Sequence, residues 1–200
     1  MTKDKLFTVI IPTIWKTDNV IPWLKQLSKN KYVGEIVLID NAYTKSNKFS
    51  IDKVKHLPQK ENIFVNPAWN LGVKESKYDN IAIVNDDIWI ESQDLSKVFK
   101  EFKSEYGLVG LSKKNYELKE SNNILYKSTP QLKKFQDFHG EFSGFGCFML
   151  LHKSNYTHIP SDLKIWFGDN WLIKNINNIY TISGLKIESR PKISTSVNSN

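Results

Sequence analysis

Two carboxylates stand side by side at Asp86 and Asp87, directly after the apolar run Ile81–Val84. Neighbouring carboxylates repel one another unless a cation or hydrogen-bond donors neutralise them. A hard divalent cation that also bridges a substrate's phosphates would do so. An Asp-Asp turn that merely caps the next element reads the same way in sequence. Asp40 follows a second apolar run, Glu35–Ile39, and Asp169 stands in the polar break Gly168-Asp169-Asn170 ahead of Trp171-Leu172. A carboxylate at such a break serves as a general base or as a helix N-cap. Among the histidines, His139 has the best position for a metal or phosphate contact, since it precedes Gly140 and the loop Ser143–Gly146. Glycines there allow backbone to approach a ligand closely. His152 and His158 read as structural or surface residues. Cys147, inside an apolar run, reads as buried and inert.

These residues need a scaffold, and the hydrophobic pattern supplies one. Phe7–Ile11, Glu35–Ile39, Ile63–Val65 and Ile81–Val84 are short, β-branched runs that read as buried strands. Helices are expected from the Thr17-Asp18 cap through Leu27, from Asn66 with Pro67 at its first position, and over about Asp94–Glu105. Strands alternating with helices imply an α/β fold with a mainly parallel sheet and helices on both faces. Ligands of such sheets bind beyond the carboxyl ends of the strands, where the carboxylates fall. The second half adds a hairpin through Tyr116–Leu118 and Ile124–Tyr126, a lysine-bearing loop over Lys127–His139 and a strand over Phe145–Leu151. A helix over Asn170–Ile176 and short segments at Ile179–Ile182 and Lys186–Glu188 complete it, and Ser194–Asn200 reads as a frayed tail.

Composition narrows the classes. The 200 residues form one domain's worth of chain, 40% hydrophobic and 24% charged, so a core can be buried. No apolar run approaches the roughly 20 residues of a membrane span. The N-terminal run stops at Pro12 without a cleavage-like site, so no signal peptide is expected. A single cysteine excludes an internal disulfide and a cysteine-based zinc site, and a cytoplasmic setting (host cytoplasm for a viral chain) is expected. The net charge of +7 invites an anionic partner. Arg190 is the only arginine, however, and lysines act as point charges rather than bidentate base readers.

Taken in order, Val9-Ile10-Ile11-Pro12-Thr13, Ile36–Asp40-Asn41, Asn70-Leu71-Gly72, Asn85-Asp86-Asp87, Gly146–Leu150 and Trp166–Leu172 resemble the GT-A glycosyltransferases, especially their family-two group. The resemblance spans about Phe7 to Ile176. It implies a single GT-A domain over residues 1–200: a nucleotide-sugar half at about 1–90, an acceptor half at about 91–190, and a tail at 191–200. By that resemblance Pro12 and Thr13 line the nucleotide pocket, Asp40 contacts base or ribose, and Asn70 and Lys74 lie on the helix flanking the nucleotide. Asn85-Asp86-Asp87 occupies the DXD position. Asp87 would hold Mn²⁺ or Mg²⁺ on the diphosphate, and Asp86 would share the metal or hold the ribose. Asn85 replaces the commoner aspartate. Asp169 matches the general base of inverting members, with Gly168 in place of the usual glutamate. Trp166 and Phe167 are the expected acceptor contacts.

The leading expectation is a metal-dependent, inverting glycosyltransferase using a nucleotide-diphosphate sugar, with a glycan acceptor. A phage-type enzyme acting on hydroxymethylated DNA is the alternative that the lysines suit; it would flip the base out of the duplex. A nucleotidyltransferase would show a glycine-rich phosphate loop, and Pro12-Thr13-Ile14-Trp15-Lys16 is not one. A non-catalytic nucleotide-sugar or glycan-binding module is the remaining reading, suggested by Asn85 and Gly168.

Overall fold

The computed structural model describes residues 2–42, 50–111, 131–134, 144–185 and 187–189; for 131–134, 183, 188 and 189 only the backbone is described. The strands are β1 (Phe7–Thr13), β2 (Val33–Asp40), β3 (Val54–Pro58), β4 (Asn80–Val84), β5 (Ile88–Ile90), β6 (Leu108–Leu111), β7 (Gln131–Lys134), β8 (Phe148–His152), β9 (Ile179–Ser183) and β10 (Ile187–Ser189). The helices are α1 (Val20–Lys29), α2 (Val65–Glu75), α3 (Ser92–Glu101) and α4 (Gly168–Asn175). Eight strands make one sheet in the order β3-β2-β1-β4-β8-β6-β9-β7, and β5 pairs with β10 separately. The first four strands are mutually parallel, whereas β8 runs antiparallel to both β4 and β6. This is the mainly parallel α/β sheet that the sequence predicts.

Strand period sorts the side chains into two cores. Val9 and Ile11 of β1 face Trp23 and Leu24 of α1 and Leu95, Val98 and Phe99 of α3. Ile10 faces the other way, toward Ala68 and Val73 of α2 and Leu172 and Ile173 of α4. Burial on both faces is why β1 reads as an unbroken apolar run. Each large apolar side chain removed from water in this way contributes about 1.5–3 kcal/mol. Gly72 brings α2 onto the sheet: a Cβ there would lie 2.3 Å from Cγ2 of Ile10.

Several sequence expectations are corrected. Gln131–Lys134, inside the expected loop Lys127–His139, is an edge strand of the sheet, and the first helix has Asn19 rather than Thr17-Asp18 at its N-cap position. The third strand is Val54–Pro58, not Ile63–Val65. It has one neighbour and is mostly half-buried, so Lys55 and His56 are tolerated and no apolar run marks it. Ile63, Phe64 and Val65 instead carry the chain into α2. Phe64 takes a left-handed φ of 67°, and Pro67 is the third helical residue rather than the first. Its missing N–H is no loss in the first turn, where donors have no intrahelical partner. α3 stops at Glu101, and Phe102 beyond it packs edge-on against Phe7. Phe145–Cys147 form a 3₁₀ turn entered through left-handed Gly144, and β8 begins only at Phe148. The expected hairpin at 116–126, the loop histidine His139 and the tail at 191–200 lie outside the described residues.

Candidate active site

Parallel pairing brings the carboxyl ends of β2, β1 and β4 to one edge of the sheet. Thr13 closes β1 there, and its hydroxyl donates to Oδ2 of Asp86 at 2.6 Å. The Thr13 oxygen in turn accepts from the backbone N–H of Trp15 at 2.9 Å, which orients the hydroxyl toward the carboxylate. The pKa of Asp86 is raised to about 6, chiefly by burial and in smaller part by the adjacent Asp87 charge, with the Thr13 bond opposing both. Burial also raises Asp87 above the ordinary carboxylate range. Its Oδ1 is buried and meets no hydrogen-bond partner among the described residues. Asn85 does not face these carboxylates with a charge: its N–H donates to the Cys147 carbonyl at 3.0 Å and its Nδ2 to the Cys147 sulfur at 3.5 Å. Cys147 is therefore half-buried beside the site, not sealed in a strand as the sequence suggested.

Asp40 ends β2 and is fully buried. Its Oδ1 accepts from the Ala42 N–H at 3.0 Å, and its Oδ2 lies 3.1 Å from Nε2 of His56 on β3. Sequence reasoning missed His56, because the pairing depends on the register of an edge strand that carries no pattern of its own. Pro12 is buried opposite Ile39 in the β1–β2 pair. Asn41 ties β2 to its neighbours, its N–H donating to the Thr13 carbonyl at 2.8 Å and its Nδ2 to the Phe64 carbonyl at 3.4 Å.

Two predicted nucleotide contacts stand elsewhere. Asn70 accepts from the Tyr156 hydroxyl at 2.7 Å and the Ile159 N–H at 3.0 Å, and donates to the Ile159 carbonyl at 2.9 Å. That amide is committed to holding residues 156–159 against α2. Lys74 is exposed in the last turn of α2, and its carbonyl accepts from Lys153, just beyond the β8 residue His152 that faces Asn80 at the start of β4. That is the opposite edge of the sheet from Asp86. A cleft of about 470 Å³ at that far edge, lined by Lys3, Asp4, Lys77, Tyr78 and His152 among others, holds none of the predicted site residues.

Asp169 reaches the site edge from the other half of the chain. It lies in the first turn of α4, behind Phe167 in the capping position, so it is not the N-cap. Its Oδ1 accepts from the Asn170 N–H at 2.9 Å and its Oδ2 from the Gly146 N–H at 3.2 Å. Gly146 precedes Cys147, whose carbonyl accepts from Asn85, so Asp169 and the Asp86-Asp87 pair border the same turn. Trp166 and Phe167 expose 63% and 67% of their surface next to Asp169.

Among the described residues no three His, Cys, Asp or Glu side chains gather to hold a metal unaided. The buried, unpartnered Oδ1 of Asp87 still fits a divalent cation whose other ligands come from a bound diphosphate.

Open α/β sheets bind their ligands beyond the carboxyl ends of the strands, which is where Asp40, Asp86 and Asp87 lie. Residues 8–159 match the model of glycosyl transferase family 2, and the chain belongs to that family. Asp169 lies beyond the matched span. The fold is that of GT-A proteins. It is similar to S. aureus TarS 1-349 in complex with UDP-GlcNAc, with a TM-score of 0.64 and 17% identity over 91% of this chain and 57% of that one. It is also similar to GalNAc-T7 with UDP, GalNAc and Mn²⁺, with a TM-score of 0.61 and 11% identity over 92% of this chain and 43% of that one. The chain thus spans little more than half the length of TarS 1-349. No curated protein matches the sequence. No described helix is long and apolar enough to cross a membrane.

Proposed function

We propose that this chain transfers a sugar from a nucleotide-diphosphate sugar to an acceptor hydroxyl, with a divalent metal and with inversion. The observation that carries the reading is Asp87, a carboxylate at a strand end with one oxygen buried and unpaired. Asp87 and Asp86 would hold Mn²⁺ or Mg²⁺, which supplies charge neutralisation for the departing diphosphate. Thr13 keeps Asp86 oriented through its 2.6 Å bond. Asp169 accepts the proton of the attacking hydroxyl, since a carboxylate fixed by two backbone N–H groups presents a defined lone pair. Trp166 and Phe167 offer flat apolar faces to a glycan acceptor. Residues of about 1–90 serve the donor and those of about 91–190 the acceptor. We place the reaction in the cytoplasm, where a lone thiol stays reduced. The UDP in the TarS and GalNAc-T7 structures supports a uridine nucleotide as the first donor to test.

The test is thermal unfolding with UDP and UDP-GlcNAc, each with Mn²⁺ or with EDTA. A ligand bound to the native state raises the transition temperature by mass action. Mn²⁺-dependent stabilisation should be present in the wild type and absent from Asp87→Ala. A response indifferent to EDTA and to that substitution refutes the metal assignment.

A further inference from the structure

Residues 163–167 lead into α4 without belonging to a strand, and they carry the two exposed large aromatics among the described residues. Phe167 enters the helix at φ 65°, a left-handed conformation that costs a non-glycine residue about 1–2 kcal/mol. Such a conformation persists only where its surroundings impose it. Asn66, fully buried in the first turn of α2, ties down the segment that leads into it. Its backbone N–H donates to the Lys164 carbonyl at 3.0 Å, and its Nδ2 donates to the carbonyls of Leu163 at 2.9 Å and Trp166 at 3.3 Å. Its Oδ1 has no hydrogen-bond partner among the described residues and fills the space in front of Gly168. A Cβ on residue 168 would lie 2.1 Å from that oxygen. Position 168, where the family resemblance would place glutamate, therefore admits a side chain only if Asn66 shifts.

Asp169 is the next residue. It is held from behind by the Asn66–Gly168 contact and in front by the Gly146 N–H. Gly146 is itself close: a Cβ there would lie 3.1 Å from Asp169 Oδ2. We propose that Asn66 is the positioning residue for Asp169, fixing from the donor side the carboxylate that serves the acceptor. The catalytic part of this role rests on the reading of Asp169 as base.

The Gly146 amide resonance in ¹⁵N-glycine-labelled full-length chain reports the geometry without any ligand. Asp169→Ala should shift it by removing its acceptor. Asn66→Ala should shift it in the same direction, while Gly34 and Gly72 stay in place. Asn66→Ser, which keeps one donor, should give a smaller shift of the same sign, and it serves as the test variant if alanine fails to fold. A Gly146 resonance that responds to Asp169→Ala but to neither Asn66 variant overturns the proposal. In the activity arm, UDP release from UDP-GlcNAc with Mn²⁺ should fall on the order of 10–10²-fold in Asn66→Ala, with UDP affinity retained. In an Asp169→Asn background the same substitution should add almost nothing, because the two residues act through one group. Penalties that multiply overturn the positioning role. A wild type that neither binds nor cleaves UDP sugars refutes the proposed function alone, and the Gly146 resonance still decides the geometry.

Discussion

Asp86→Asn should stabilise the metal-free protein at neutral pH. The carboxyl of Asp86 titrates at about 6 in the folded chain against an ordinary value of 3.8, chiefly because it is buried. The native state therefore binds the proton more tightly than the unfolded chain. Wherever the native state holds more protons, stability falls as pH rises. The penalty is absent below the unfolded value, grows through the window from about 4 to about 6, and is complete above it. A shift of about two units corresponds to ~3 kcal/mol, an upper figure because the site can relax or admit water. Asparagine removes the charge and keeps a carbonyl acceptor for Thr13. Urea unfolding in EDTA at several pH values between 4 and 8 measures the effect. The variant should gain on the wild type across that window and hold a constant lead above it. With Mn²⁺ and UDP the order should reverse, because the ligands reward the charge that the empty site penalises. A variant that is less stable than the wild type at pH 7 in EDTA, with an unchanged pH slope, refutes the electrostatic account.

Asp169→Asn should keep UDP-sugar affinity within a few-fold and lose on the order of 10²–10⁴ in transfer rate, measured at saturating donor and metal. Near-normal transfer would remove Asp169 from the mechanism. Gly72→Ala should cost about 1–3 kcal/mol by driving a methyl into Ile10, seen as a lower denaturation midpoint with unchanged UDP-binding stoichiometry in the folded fraction.

The central strands were legible because they are buried on both faces. Val9-Ile10-Ile11, Ile36–Ile39 and Ile81–Val84 leave no polar residue to confuse the pattern, and the half-buried Asn85-Asp86-Asp87 marks where the burial of β4 ends. Asp86 and Asp87 stand out in the sequence by that position together with the family resemblance. The edge strand was not legible, since Lys55 and His56 sit there at no cost, and with it went the Asp40–His56 contact. The start of α2 was misplaced because the left-handed turn at Phe64 and the Asn66–Lys164 bond are imposed by a distant segment. Asn70 shows the same limit. Its helix was predicted, but which face meets residues 156–159 depends on packing that no local pattern encodes. The half-exposure of Cys147 follows from the 3₁₀ turn at 145–147, which an apolar run conceals.

The reversed strand β8 has a bearing on how this site could diversify. Gly110 of β6 pairs with Met149 of β8, so β6 ends at Leu111 and β8 begins at Phe148 on neighbouring positions of one edge. That edge is the one carrying Asp86, Asp87 and the Gly146–Asp169 contact. A segment whose two ends are already anchored side by side can change length at little expense, since each doubling adds only about 0.6 kcal/mol of closure entropy. Between those two points the chain also gives the sheet its edge strand β7, Gln131–Lys134, so added length is tolerated only on either side of that strand. Lengthening the chain between Leu111 and Gln131 should leave the donor carboxylates undisturbed, read as unchanged Mn²⁺-dependent stabilisation by UDP.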